Sequence, residues 1–326
     1  MTIQRKTFIA SGLATLIAFG SGTAFAQDYP AEKPVRILVG ASAGGGTDIL
    51  ARMLADKFRL SMKQSFVVEN KPGAANTLAA DAAAKAPKDG YTLLVATNTG
   101  QAIAPHLLKL AYNPLKDLQP IGMVVVVPHL LLVGANEKAR DAKELVTAIK
   151  ANPAKYAYAS SGVGSTQHVA GEALNLAGGT KAIHIPYKGS SAAHSDLIGG
   201  QVQFMIDTTS SAIGQVKSGP LRALAVTTPK RLAELPDVPT VRELGMPGLE
   251  IVTWYGLYTT AGTPKAVVDK LHAELQRTLK LPDVQDRLRA LGGHSEDLTT
   301  EQFAEFNRTE FDRFGKLVKA TNIRAD

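Results

Sequence analysis

Residues 121–134 read IGMVVVVPHLLLVG. The run is apolar almost throughout and far exceeds the usual strand of about 5–6 residues. Pro128 interrupts it where a helix would lose a hydrogen bond and clash with its preceding turn. Two strands joined at the proline satisfy both facts, and they are expected to carry the chain from one lobe to a second. Upstream, strand and helix patterns alternate. VRILVGAS (35–42) is a buried strand ending in a glycine-rich loop. Ile49, Leu50, Met53, Leu54 and Phe58 then recur at helical spacing. SFVVENKPG, TLAADAAAKA and YTLLVATNTG (91–100) follow as strand, helix and strand. Downstream the alternation resumes through DAKELVTAIKANP, YAYAS, HVAGEALNLAGG, AIHIPY, SAAHSDLIGG and VQFMID (202–207). LRALAVTT (221–228) is a further apolar strand, suited to the return crossing. A proline-punctuated surface segment, the strand IVTWYGLYTT and closing helices from Pro264 complete the chain. In the last helix Phe303, Phe306, Phe311, Phe314 and Leu317 form a core-facing stripe.

The expected class is therefore α/β, with two lobes and two crossing strands as hinge. Residues 27–122 and 227–326 are expected to build lobe 1, and 123–226 an inserted lobe 2. A length of 326 residues suits two domains of ordinary size. With 45% hydrophobic and 20% charged residues the composition is globular. Arg5 and Lys6 precede the short apolar stretch TFIASGLATLIAFGSG, which ends in AFA at 24–26. This is the pattern of a secretory signal peptide cleaved after Ala26, and it predicts an exported protein. Cleavage lowers the net charge from +7 to +5, since residues 1–26 hold Arg5 and Lys6 and no acid. The remaining cations are scattered, so no nucleic-acid partner is expected. No cysteine is present, which excludes disulfides, thiolate metal sites and a lipoprotein anchor.

Function is carried by two loops of one design. In AGGGTDILAR (43–52), Gly44, Gly45 and Gly46 allow close backbone approach, while Thr47 and Asp48 open a helix. Free N–H groups at such a start attract a carboxylate or similar anion; the bland alternative is a tight strand-to-helix turn. In YASSGVGSTQHVAGEAL (158–174), Ser160, Gly164, Ser165 and Thr166 repeat the arrangement. Two such loops, one per lobe, face each other across a cleft in this reading. Thr97 and Asn98 end a strand in ATNTG, and Asp207 ends another before Thr208. Carboxyl ends of strands are where open α/β sheets hold ligands. Asp207 has three readings: it holds a ligand's ammonium or hydroxyl, holds a water, or caps the next helix. His168 is either a local hydrogen-bonding residue or a ligand contact. Trp254 borders the cleft or, as a lone Trp usually does, lies in the core.

Competing chemistries fail on spacing. Ile49 stands where a dinucleotide fingerprint needs its third glycine, and Gly46 where a P-loop needs lysine. Neither Ser165 nor Ser191 sits in G-x-S-x-G. The seven histidines form no HExxH pair. No cofactor, metal or catalytic residue is expected, and the chain reads as a non-enzyme.

AGGGTD, SSGVGSTQH, IPYKGSSAAHSDLIGGQVQFMID, LPDVPTVRELG and TWYGL stand in an order that resembles the substrate-binding proteins of tripartite tricarboxylate transporters, the Bug/TctC family. The resemblance covers essentially the whole mature chain. It implies a two-lobed periplasmic binding protein of the Venus-flytrap, type II-like kind, a small mono- or dicarboxylate as ligand, and a membrane permease as partner of a monomer. It places the ligand at Gly44 to Asp48, at Gly162 to Thr166 with His168 beside it, and at Asp207; Tyr187, in PYKG, joins the candidate set. Ala43 stands where family members often carry proline. The alternatives are a sensor presenting its closed form to a membrane signalling partner and an exported α/β hydrolase.

Overall fold

A computed structural model describes residues 29–324. The expected cleavage at Ala26 lies outside them. Two five-stranded mixed sheets organise the chain. The first holds β1 (Val35–Val39), β2 (Phe66–Asn70), β3 (Thr92–Thr97), β4 (Leu118–Val127) and β10 (Thr253–Thr260), in the order β2-β1-β3-β10-β4. The second holds β5 (His129–Gly134), β6 (Ala157–Ser160), β7 (Ile183–Pro186), β8 (Phe204–Thr208) and β9 (Leu221–Val226), in the order β7-β6-β8-β5-β9. In each sheet three strands run parallel and one antiparallel strand separates them from the last. The two sheets thus share a topology that no sequence repeat announces.

The parallel strands set the functional geometry. In each sheet a central strand leads through a glycine-containing loop into a helix and back to an edge strand, the right-handed crossover that parallel pairing requires. In the first sheet that helix is α1 (Gly46–Met62), and α2 (Thr77–Ala84) follows β2. In the second, α3 (Ala142–Ala151) precedes β6, α4 (Thr166–Gly178) follows it, and α5 (Ser190–Ile198) and α6 (Thr209–Ser218) flank β8. α7 (Lys265–Leu279), α8 (Pro282–Ala290) and α9 (Thr300–Thr321) close the chain. The carboxyl ends of β1, β3, β6 and β8 therefore carry the loops singled out above.

The core follows strand alternation. One face of the first sheet buries Val35, Ile37 and Val39 with Leu50, Leu54 and Phe58 of α1 and Leu271 and Leu275 of α7. The opposite face buries Leu38, Trp254 and Tyr258 with Phe303 and Phe314 of α9, and this cluster continues into Leu131, Val133 and Phe204 of the second sheet. The expected stripe on the last helix is partly so placed: Phe303 and Phe314 are fully buried, whereas Phe306 and Phe311 pack at its margin.

Pro128 separates β4 from β5, and β9 leads at Thr227 into the return path to β10. These two passages are bonded to each other. The His129 N–H donates to Thr227 Oγ1 at 3.0 Å, and the Thr227 N–H donates to the His129 carbonyl at 3.0 Å. Across the same region His129 Nε2 meets Thr253 Oγ1 at 2.9 Å.

Candidate functional site

Helix α1 begins without a side-chain cap, because Gly45 occupies the N-cap position. The first N–H groups of a helix have no intrahelical acceptor, which leaves those of Gly46, Thr47 and Asp48 open. The loop before them is organised from within. Asp48 is buried, and its Oδ2 accepts from the Gly44 N–H at 2.9 Å and from Arg52 Nε at 2.9 Å. Its Oδ1 accepts from Asn70 Nδ2, also at 2.9 Å. The hydrogen bond from Arg52 is the main reason its pKa falls to about 2; burial opposes the shift, and Gly44 and Asn70 add to it. The Asp48 carboxylate therefore shapes the loop and takes up the Gly44 N–H, so neither is available in the way the sequence suggested. Gly45 is likewise engaged, donating to the Ser42 carbonyl at 3.2 Å.

The second loop is satisfied more completely. Ser165 caps α4, its Oγ accepting from the His168 N–H at 3.2 Å. The Gly164 N–H donates to His168 Nδ1 at 3.1 Å. Ser160 Oγ accepts from the Gly162 N–H at 3.1 Å and lies 2.7 Å from His184 Nε2. The rings of His168 and His184 stack with centroids 3.7 Å apart and planes 8° from parallel. Burial pushes each down to about 4, and His184 adds a smaller repulsion at His168. His168 is thus the loop's internal acceptor, and Ser160, Gly164 and Ser165 face their own lobe's hydrogen bonds.

Thr166 reaches the other lobe. Its hydroxyl donates to Asn98 Oδ1 at 3.2 Å and lies 3.1 Å from Thr99 Oγ1. Asn98 in turn donates from Nδ2 to the Val252 carbonyl at 2.9 Å. The side chain of Leu107 packs against Gly164, where an added Cβ would meet it at 3.1 Å. The second loop therefore meets the carboxyl end of β3 through Asn98, Thr99 and Thr166, while Thr97 Oγ1 is buried with no partner.

Asp207 is fully buried and bonded within its own lobe. Its Oδ1 accepts from Gln167 Nε2 at 2.9 Å and from the Thr208 N–H at 2.7 Å. His194 Nε2 lies 2.9 Å from Oδ2, an ion-pair distance, without the alignment of a hydrogen bond. Burial alone would raise its pKa, but His194, Gln167 and Ser190 together hold it below the usual carboxylate range. In this arrangement Asp207 ties α4 and α5 to the start of α6. Thr208 opens α6 and lies 3.0 Å from Ser211 Oγ. Tyr187 donates to Asp196 Oδ2 at 2.6 Å, a contact within its own loop and helix.

Trp254 does not border the cleft. It is fully buried against Phe303 and Phe306, and its Nε1 donates to Glu310 Oε2 at 3.1 Å. Side chains alternate along a strand, so its neighbour Tyr255 takes the opposite face, and its hydroxyl lies 3.2 Å from where a Cβ on Gly46 would stand. Sequence reasoning also missed Gln167, His184 and His194, whose roles come from distant partners. It missed Ala74, Ala75 and Asn76 as well, three consecutive residues with φ of 46°, 50° and 69°. They press on Gly40, where an added Cβ would stand 2.6 Å from the Asn76 carbonyl oxygen, and Gly73 was the only local signal. A cavity of about 650 Å³ lies behind the hinge between Thr227, Pro247 and Arg313, away from these loops.

No group of three or more metal-ligating side chains is assembled among the described residues, and no helix among them is long and apolar enough to cross a membrane.

The family model described as tripartite tricarboxylate transporter family receptor matches residues 50–323. The solved structure of periplasmic binding protein BugD is 37% identical, with a TM-score of 0.80 over 90% of this chain and 99% of that one. Rpa4515 of R. palustris with adipate is 31% identical, with a TM-score of 0.83 over 91% of this chain and 99% of that one. MatC (Rpa3494) from Rhodopseudomonas palustris with bound malate is 31% identical, with a TM-score of 0.80 over 88% and 99%.

Proposed function

The chain belongs to the tripartite tricarboxylate transporter receptor family of periplasmic solute-binding proteins, which are not enzymes, and from that premise we propose that it captures a small mono- or dicarboxylate between its lobes and delivers it to a membrane permease. The observation that carries this reading is the uncapped start of α1, whose neighbouring acid Asp48 is already engaged by Gly44, Arg52 and Asn70. Such a start holds an anion through aligned dipoles and needs no lysine or arginine. The neighbours solved with malate and adipate support a small carboxylate as the class.

In this proposal lobe 1 is 27–127 with 227–326 and lobe 2 is 129–226, the first crossing falling later than the sequence suggested because β4 stays beside β10 as far as Val127, and closure pivots where Pro128, His129 and Thr227 join the crossings. Export follows cleavage after Ala26, and the mature protein acts as a monomer. Contacts at Thr47 from one lobe and at Thr166 from the other complete the shell. The ligand favours closure only by binding the closed state better.

The test is a thermal-shift and calorimetric screen of the mature protein, unfolded and refolded to free it of carried-over ligand, against aliphatic, aromatic and amino-acid carboxylates. Thr47→Val removes a hydroxyl with no protein partner among the described residues. It is expected to leave the ligand-free Tm within about 2 °C of the parent. Affinity for the hit is expected to fall by roughly tenfold. A screen in which no carboxylate stabilises the protein defeats the reading. Delivery is tested separately, since deletion of the permease should abolish uptake of the hit while leaving its binding intact.

A further inference from the structure

Tyr255 stands on β10 in register with Thr97 of β3 and Val125 of β4, close to the strand end where α1 begins. It is 8% exposed, and its hydroxyl has no hydrogen-bond partner among the described residues. Directly opposed residues of an antiparallel pair share a face, so Thr97, with its own buried and unpartnered Oγ1, lies beside it. The open helix start at Gly46 is within van der Waals reach of the phenol oxygen. Two hydroxyls and a helix start, from three separate elements, thus lie at one end of the sheet, and no hydrogen bond from either hydroxyl to a protein acceptor is made among the described residues. The Thr97 hydroxyl is sealed and unpaired, which is costly, whereas the phenol oxygen is open to an incoming acceptor.

We propose that Tyr255 is a ligand-contacting, specificity-determining residue of the interlobe cleft, its hydroxyl donating to a carboxylate oxygen seated on the start of α1. The inference rests on the carboxylate reading above and goes further by assigning the neutral donor that meets the anion there. Asp207, on the other lobe, is near enough for its charge to act on the phenol. Burial first, and that charge second, push the Tyr255 hydroxyl up to about 12, so it stays protonated and acts only as a neutral donor toward an anion. A neutral donor in a poorly solvated cleft stabilises the anion it bonds without requiring a buried cation. The preference it creates is for an oxyanion over an uncharged amide of the same shape.

The experiment titrates the refolded mature protein and its Tyr255→Phe variant with malate, succinate, adipate and benzoate by calorimetry, and compares each bound acid with its amide. The expected result is a loss of at least about tenfold in affinity for every acid the parent binds, a smaller loss for the amide, and a ligand-free Tm within about 2 °C of the parent. Unchanged affinity in a folded variant overturns the role of Tyr255 and leaves the carboxylate reading standing. Equal losses for acid and amide overturn the charge-selective role. A parent that binds none of the acids overturns both. Should the variant fold poorly, the near-ultraviolet difference spectrum of the parent decides: a phenol perturbation on adding the bound acid is expected, and its absence overturns the contact.

Discussion

At the scale of single residues, the decisive fact about the first loop is that Asp48 serves the loop before it serves any ligand. Its carboxylate draws together Gly44, Arg52 and Asn70, so the polypeptide bends back on itself and leaves the next N–H groups free. Asp48→Ala is expected to cost about 2 kcal/mol, the usual scale for hydrogen bonds to a buried charge, measured as a lower urea midpoint at pH 7. The sign with pH follows from the depressed pKa of about 2. Asp48 contributes stability above its unfolded value near 4, and that contribution disappears as pH falls from about 4 toward 2; the Ala variant should lack this part of the acid transition. The glycines and the helix start were legible from composition and spacing. That the acid would take up Gly44 was not: Arg52 stands one turn along the same helix, but Asn70 reaches the carboxylate only once α1 and β2 have packed. The same limit governs Trp254 and Tyr255. The sequence marks TWYG as a strand, and period two says that the pair divides between two faces; only the neighbouring helices decide which face holds the site.

At the scale of elements, helix α4 and strand β7 meet in the stacked imidazoles of His168 and His184. Glu172 approaches the same cluster through Tyr158, whose hydroxyl donates to Glu172 Oε1 at 2.6 Å. Nδ1 of His168 must be unprotonated to accept from Gly164, and two charged rings 3.7 Å apart repel. Both rings have pKa values lowered from 6.5 to about 4. A histidine depressed in the folded state stabilises fully above its unfolded value, and the contribution drains away as pH falls from about 6.5 to about 4. Buried His129, also pushed down to about 4, acts with the same sign from the hinge. The parent protein is therefore expected to lose several kcal/mol between pH 7.5 and about 4.5 by urea unfolding, and His184→Asn to lose roughly 2 kcal/mol less across that interval. An identical loss in both refutes the assignment of acid sensitivity to this pair. Most of the elements were legible: the split at Pro128, the alternation of strand and helix, the glycine stops. The stacked pair was not, because His168 and His184 belong to different elements and neither sits in a motif.

At the scale of the whole molecule, two sheets of equal topology are joined by paired crossings and by a core cluster running from Trp254 and Phe303 to Leu131 and Phe204. In the proposed closure the bend belongs at Pro128, His129 and Thr227, where the two crossings are bonded to each other. What holds the lobes together on the ligand side is sparse by comparison. Thr166 bonds Asn98 and meets Thr99, and Thr209 Oγ1 donates to the Leu291 carbonyl at 3.2 Å. Thr166→Val keeps the side-chain volume and removes the hydroxyl from the first of these contacts. With about 1 kcal/mol per lost hydrogen bond, the balance between closed and open ligand-free forms should move toward open by roughly 5- to 30-fold. Small-angle scattering reads the shift as a larger radius of gyration for the ligand-free variant than for the ligand-free parent. Saturating malate or adipate, whichever the parent binds, should return both to one compact value, because the ligand supplies closed-state contacts that Thr166 no longer does. If the ligand-free radii coincide, the hydroxyl contact does not govern closure, and the core behind the hinge sets the lobe angle by itself.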